Sequence, residues 1–428
     1  MKKLLIMLMM VFVSIFALTG CDKKPELTDV AKAEAKACFD FFWNEQQTIG
    51  GASGLIPDRY PDNGLSSIAS VGFGLTAFPI GVENGWITHE EGYNRSLLTL
   101  YGMKNLETIN GFFYHFYDSF NGTPKDKVEV SCIDTAILMC GALFAGEYFG
   151  GEVAEVANQL YAAVDWPTYV NPNTNQFYMA HKPWLAADKQ YEGAWDWYGE
   201  QLMMYFLAAG SPTHPVGKEV YDSFQRPVQT YGDYEVISSW FGSIFTYQFS
   251  HAWIDFRNLK DADGINWYDN SVQATLAHQQ YCVDLSSQYQ TFGELSWGLT
   301  ACDGPNGYSG LYGAAPNGGV TTDDAVTNDG TVALCGAIGS LPFAPQLVLD
   351  TMDHYYEILD GELFGEYGFY DSYNLENGTW IGYDYIGIDK GISLLMIENY
   401  RSELVWKTFM ECDFMDTAIE VLGFKKTK

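Results

Sequence analysis

A chain of 428 residues with 54 acidic and 23 basic side chains carries a formal charge of −31 at neutral pH. A field of that sign repels polyanions at long range, which argues against nucleic acid and anionic lipid headgroups as ligands and leaves neutral polymers unaffected. Aromatic residues make up 16% of the chain, with 12 Trp; this is more than one core usually needs, and the surplus rings suit a long sugar-binding cleft.

In chain order, residues 1–20 read as a secretory signal. Met1-Lys2-Lys3 is a basic start, Leu4 to Ala17 is almost wholly apolar, and Leu18-Thr19-Gly20 places small residues directly before Cys21. The pattern resembles the bacterial lipobox, which implies lipidation of Cys21, a short tether over 21–27 and a folded domain over 28–428. No later run is expected to span a bilayer. Membrane contact is therefore expected through the lipid only, on the periplasmic or cell-surface side. Seven of the eight cysteines remain, an odd number, so at least one thiol is free. Cys132 and Cys140 fall on one expected helix, where eight residues rise about 12 Å, beyond disulfide reach. The remaining cysteines read as small buried hydrophobes.

Apolar segments of helical length then recur at 30–43, 66–81, 90–108, 132–149, 151–164, 198–209, 238–254, 268–284, 331–340, 345–359 and 388–409, with few strand-like alternations between them. No Ser/Pro/Gly tract or charge block marks a linker. Some segments, such as Asp134 to Gly146, are apolar on nearly every face and so predict helices buried on all sides, while 90–108 keeps charges on one side. Alternating inner and outer helices describe an all-α, double-layered toroid in a single domain. An α-solenoid is the runner-up, without a fixed repeat period to support it.

Two carboxylates stand out. Glu200 lies in Tyr191 to Pro215, YEGAWDWYGEQLMMYFLAAGSPTHP, where acids and the indoles of Trp195 and Trp197 run into an apolar segment stopped by Gly210 and Pro212. This predicts Glu200 in the first turn of a buried helix beside aromatic rings. Carboxylates among rings are what carbohydrate chemistry needs, since sugar faces stack on indoles and acetal cleavage needs an acid and a base. A core helix with a dipole-favoured Glu explains the same pattern structurally. Asp134 opens the fully apolar helix, three residues after Ser131, a spacing that also reads as a capping box.

Other segments offer contacts. His251, Trp253, Asp255 and Arg257 sit together in Ser250 to Ser271, whose Asp261/Asp263/Gly264 cluster has its glycine too early for an EF-hand loop. Asp323, Asp324 and Asp329 read as a solvated turn. Trp297, Tyr308 and Tyr312 lie in a glycine-rich run and are candidate sugar platforms, with Glu294 just upstream as a reserve carboxylate. Glu398 is expected to pair with Arg401 one turn on. His214, just past a helix end, suits a structural role as well as a substrate contact. No HExxH, GxSxG, phosphate-binding or dinucleotide-binding fingerprint is present, so neither a metal nor a cofactor is expected.

GLIPDR (54–59), WYGEQLMMYFLAAGSPTHP (197–215), FSHAWIDFRN (249–258), WGLTACDGPNGY (297–308), GSLPFAP (339–345), YGFYDSYN (367–374) and GIDKGISLLMIENYRS (387–402), in collinear order, resemble the glucoamylase-like domain. Within it they are most similar to bacterial endo-β-1,2-glucanases of glycoside hydrolase family 144. The resemblance implies an (α/α)6 toroid that hydrolyses β-1,2-glucosidic bonds with inversion and without a cofactor. A monomer acting on a neutral β-glucan or its oligosaccharides is expected. By residue, Glu200 falls where the family has an essential Glu and Asp134 where it has an essential Asp. The acids that flank that Asp in the family are replaced here by Val130 and Ile137. Arg59, Trp195, His214, Trp253, Arg257, Trp297, Tyr308 and Tyr312 are the candidate substrate contacts. The long segments 111–130 and 299–331 suit walls that close one end of a cleft, which favours a short product such as sophorose. The competing class is a non-catalytic glycan-binding lipoprotein, which would use the aromatic rings but not the buried carboxylates.

Overall fold

The computed structural model describes residues 24–61, 63–318 and 328–427. The expected signal, Cys21, Asp323 and Asp324 lie outside the described residues. Thirteen α-helices are present among the described residues: α1 (Asp29–Glu45), α2 (Ile68–Glu83), α3 (His89–Lys104), α4 (Cys132–Phe149), α5 (Gly151–Ala162), α6 (Leu202–Ala209), α7 (Lys218–Tyr221), α8 (Trp267–Asp284), α9 (Leu334–Ile338), α10 (Pro345–Glu357), α11 (Gly387–Arg401), α12 (Leu404–Phe409) and α13 (Phe414–Leu422). Local chemistry sets several starts. Thr28 Oγ1 caps α1 by accepting from Ala31 N–H, Thr88 and Glu91 form a reciprocal capping box on α3, and Asn266 caps α8.

One contiguous apolar core runs from Ala31 to Phe424. α2, α4 and α11 form its centre. α2 packs on α1, α3, α4 and α11, and α4 on α5, α6 and α12, while α11 also meets α1 and α9. α2 and α4 cross with their backbones touching. A Cβ on Gly141 would lie 1.9 Å from the Gly72 carbonyl oxygen, and one on Gly72 would lie 2.3 Å from that of Ile137. A buried ion pair then ties α1 to α11. Lys390 Nζ donates to Glu34 Oε1 at 2.8 Å and to the Phe369 carbonyl at 2.6 Å, while Glu34 Oε2 accepts from Phe369 N–H at 2.7 Å. Every polar atom of that pair thus has a partner, the condition under which a buried charge is tolerated.

The structure departs from a purely helical reading. Antiparallel strands of two or three residues lead directly into inner helices: Leu65–Ser67 into α2, Val130–Ser131 into α4, Val332–Ala333 into α9 and Tyr385–Ile386 into α11. These strands are too short for an alternating pattern to show in sequence. The segment 238–254, expected as a helix, holds two 3₁₀ turns, Ile244–Tyr247 and Phe249–Ala252. The segment 388–409 breaks where Glu403 takes a left-handed conformation, φ 64°, and becomes α11 and α12. α7 and α13 went unforeseen. α4 also has the length and mean hydropathy, 1.4, of a bilayer-spanning helix, contrary to the sequence reading, but 72% of it is buried among its neighbours. All seven described cysteines are free and buried. Asp261 serves a turn, accepting from the N–H groups of Asp263 and Ile265 and from Tyr221 Oη. Glu398 accepts from Arg401 at 2.8 Å.

The α2–α4 crossing gives a direct test. Gly141→Ala forces one methyl group against a backbone carbonyl that cannot rotate away, and is expected to destabilise the protein by about 1–3 kcal/mol. The midpoint of urea unfolding measures the loss.

Candidate active site

The starts of α2, α4 and α11 and the turn before α6 converge on a cavity of about 550 Å³. Its walls carry the carboxyl groups of Asp58, Asp134, Glu200 and Asp389, the cations Arg59 and His115, and Tyr308. The apolar remainder is aliphatic and phenyl: Ile133, Ile137, Phe116, Phe245, Phe249, Ile388 and Ile392.

Glu200 lies in a turn two residues ahead of α6 rather than in its first turn. Ser250 fixes that turn. Its hydroxyl donates to the Glu200 carbonyl at 2.5 Å and accepts from Met203 N–H at 2.9 Å. Burial, and next the negative charge of Asp134, push the Glu200 carboxyl up to about 8, so it holds its proton at neutral pH. Neither Trp195 nor Trp197 lines the cavity. Asp134 is 9% exposed. Its N–H donates to Ser131 Oγ at 3.3 Å, while its carboxylate faces His115, with Oδ2 3.8 Å from Nε2. Burial raises both Asp371 and Asp389, Asp371 the further because Asp389 lies beside it. Asp371 Oδ1 and Asp389 Oδ2 are both buried without a protein donor. Arg59 is committed to neighbouring acids, donating to Asp303 at 2.9 Å and Asp384 at 2.8 Å.

Of the residues expected at the site, Glu200, Asp134, Arg59 and Tyr308 line this cavity and six others do not. Trp253 and Trp297 are fully buried and donate to Thr76 and Thr351, each at 3.0 Å. They are core residues rather than platforms, since their faces are covered by protein. Tyr312 is buried and donates to Asp329 at 3.1 Å. Arg257 pairs with Asp255 and Glu403 and stacks on Trp406. Trp195 donates to Cys132 Sγ, and His214 lies beyond the far end of α6, bonded to Thr213 and Ser211. Glu294 is exposed and away from the cavity. His115 and Asp58 were missed. Neither has a motif spacing to betray it, because each reaches the site from a bend or short strand distant in sequence.

A family model described as "Putative glucoamylase" matches residues 192–413, just over half of the chain. The chain belongs to this family. The glucoamylase-family chain is 26% identical, over 418 aligned residues, to an exo β-1,2-glucooligosaccharide sophorohydrolase (non-reducing end) of Parabacteroides distasonis. The alignment covers 88% of this chain and 55% of that protein, so the chain spans about half the length of this curated relative. Among solved structures it is similar to an endo-β-1,2-glucanase from Chitinophaga pinensis in complex with sophorotriose and glucose, with TM-score 0.83 and 26% identity over 93% of this chain and 98% of that one. A β-1,2-glucanase structure from P. distasonis matches at TM-score 0.82 and 25% identity, over 93% of this chain and 60% of the other.

The shift at Glu200 has a consequence for stability. Because its folded-state value lies above the ordinary 4.5, folding takes up a proton here. The group imposes no penalty below about pH 4.5 and a growing one as pH rises toward 8. Glu200→Gln removes that penalty. Its melting temperature should match that of the parent near pH 4 and exceed it above pH 8, as thermal unfolding across pH would register.

Proposed function

We propose that the chain is an inverting glycoside hydrolase that cleaves β-1,2-glucosidic bonds in β-1,2-glucan or its oligosaccharides. The carrying observation is that one cavity holds a carboxyl that keeps its proton to about pH 8, Glu200, together with Asp134 and Asp389. A protonated acid and a second carboxylate are the two groups that inversion requires. The likeness to β-1,2-glucanases over 93% of the chain supports the linkage, and the contact series α6–α4–α2–α11–α9, with α1, α3, α5 and α10 packed against it, supports an (α/α)6 toroid. Glu200 donates the proton to the leaving oxygen, directly or through a substrate hydroxyl. Asp134 removes the proton from the attacking water. A second reading gives that step to Asp389, favoured by its place on the wall of the same cavity, where burial raises its carboxyl to about 6. Arg59 and Tyr308 bind sugar from the rim.

Incubation with linear β-1,2-glucan should release reducing ends, with a short oligosaccharide such as sophorose dominant from the earliest times. Tight binding without turnover of any β-glucan would instead indicate a capture protein. Glu200→Gln and Asp134→Asn should fold and each reduce turnover by at least about a hundredfold, the scale of general acid–base catalysis. Near-full activity of Asp134→Asn alone would move the base to Asp389.

The lipobox-like run ending at Cys21 supports a lipid-anchored enzyme. Pro25 is held at the C-terminal end of α11, where Tyr400 Oη donates to its carbonyl at 2.6 Å. Asp389 lies near the other end of that helix, so a tether there would leave the cavity roughly 20 Å from the anchoring face. Cys21→Ala should move the protein from the membrane fraction to the soluble fraction, with loss of metabolic palmitate label. An unchanged distribution would sink the anchor.

A further inference from the structure

His115 is gripped from several sides. Its Nδ1 lies 2.9 Å from Glu129 Oε1 and its Nε2 3.8 Å from Asp134 Oδ2. The ring stacks on Phe116, with centroids 3.8 Å apart at 18°. Its backbone is clamped as well. His115 N–H donates to the Glu129 carbonyl at 2.9 Å, and its carbonyl accepts from Ile68 N–H, at the start of α2, at 3.2 Å. Both ring nitrogens therefore face an acid, and only the doubly protonated imidazolium offers an N–H to each. Burial works against that charge. Asp134 from α4, Glu129 from the segment ahead of it and Asp58, itself beside Arg59, outweigh it and push His115 up to about 9. Lys182, paired with Glu192, also acts on Glu129.

We propose that His115 is a positioning residue of the hydrolytic site, a fixed cation that aims the Asp134 carboxylate into the cavity and offsets its charge beside Glu200. The inference rests on the glycosidase reading above. Asp134 is the one charged neighbour that acts on Glu200, so whatever offsets Asp134 also governs how firmly Glu200 holds its proton. With the imidazolium removed, the negative charge of Asp134 acts on Glu200 in full. Glu200 then stays protonated to higher pH. A residue that merely filled the wall or touched the sugar would change kcat or KM without moving that limb of the pH profile.

The test compares kcat and KM on β-1,2-glucan between pH 6 and 10, with thermal unfolding as the check on folding. His115→Gln should lower kcat about tenfold, toward the low end of general acid–base effects. Its alkaline limb should move upward by roughly 0.5 pH unit or more. His115→Lys, which restores a cation, should bring the limb back toward its original position. Glu129→Gln, which frees the other ring nitrogen and weakens the charge, should move it upward by less. An unmoved limb in an active His115→Gln protein overturns the inference, as does a Lys variant indistinguishable from the Gln variant. If His115→Gln does not fold, the direction of the Glu129→Gln limb decides. A parent protein that hydrolyses no β-glucan sinks the glycosidase reading and this inference with it, an outcome distinct from an unmoved limb in an active enzyme.

Discussion

Helices without a polar face impose the constraint on which this structure depends. α2, α4 and α6 are buried along nearly their whole lengths, and α2 and α4 meet backbone to backbone at Gly72 and Gly141. Contact that close leaves no room for charged side chains along the facing lengths of α2 and α4, where each would lose its hydration without compensation. Polarity is displaced to the helix starts. There the short strands bring extended chain to the first turn, and the backbone N–H groups of that turn need acceptors. Ser131 meets that need on α4, which leaves the Asp134 carboxylate free to face the cavity.

The electrostatics of the cavity follow from an imbalance. Among the described residues lining it, four carboxyls face two cations. Arg59 is already bonded to Asp303 and Asp384, and His115 lies between Glu129 and Asp134. No cation remains for Glu200, so burial and the nearby Asp134 decide its state, and the proton stays on. The Asp371 and Asp389 carboxyls, buried beside each other, are both raised, Asp371 the further. Acids of different proton affinity thus arise from one shortage of positive charge, in a chain whose formal charge is −31. Separated proton affinities are what acid–base chemistry at near-neutral pH requires.

Much of this was legible in the chain before any coordinates. Apolar runs at helical spacing fixed the central helices, α4 to the residue, because a buried helix leaves a long uninterrupted signal. The run from Tyr191 to Pro215 and the start of α4 pointed to Glu200 and Asp134, and the collinear segments pointed to the family. The break after Arg401 and the 3₁₀ turns near Phe249 were hidden, because a change of backbone angle at one or two residues leaves the apolar pattern intact. The indoles misled for a related reason. Trp253 and Trp297 have the composition of sugar platforms, yet packing covers both faces and a threonine hydroxyl satisfies each N–H. Tyr308, 57% exposed, is the loop aromatic left at the cavity.

The sequence by itself determined that this is a helical, acidic, aromatic-rich chain of one recognisable family, with carboxylates at the starts of buried helices. Those properties are local or compositional, and they survive without knowledge of what touches what. Only the tertiary structure decided that His115, fourteen residues ahead of Glu129, bridges it to Asp134. It also decided that Asp371 lies beside Asp389, and that no cation among the described residues acts on Glu200. Each depends on distances of about 3–4 Å between groups far apart along the chain, and sequence spacing carries no record of such distances.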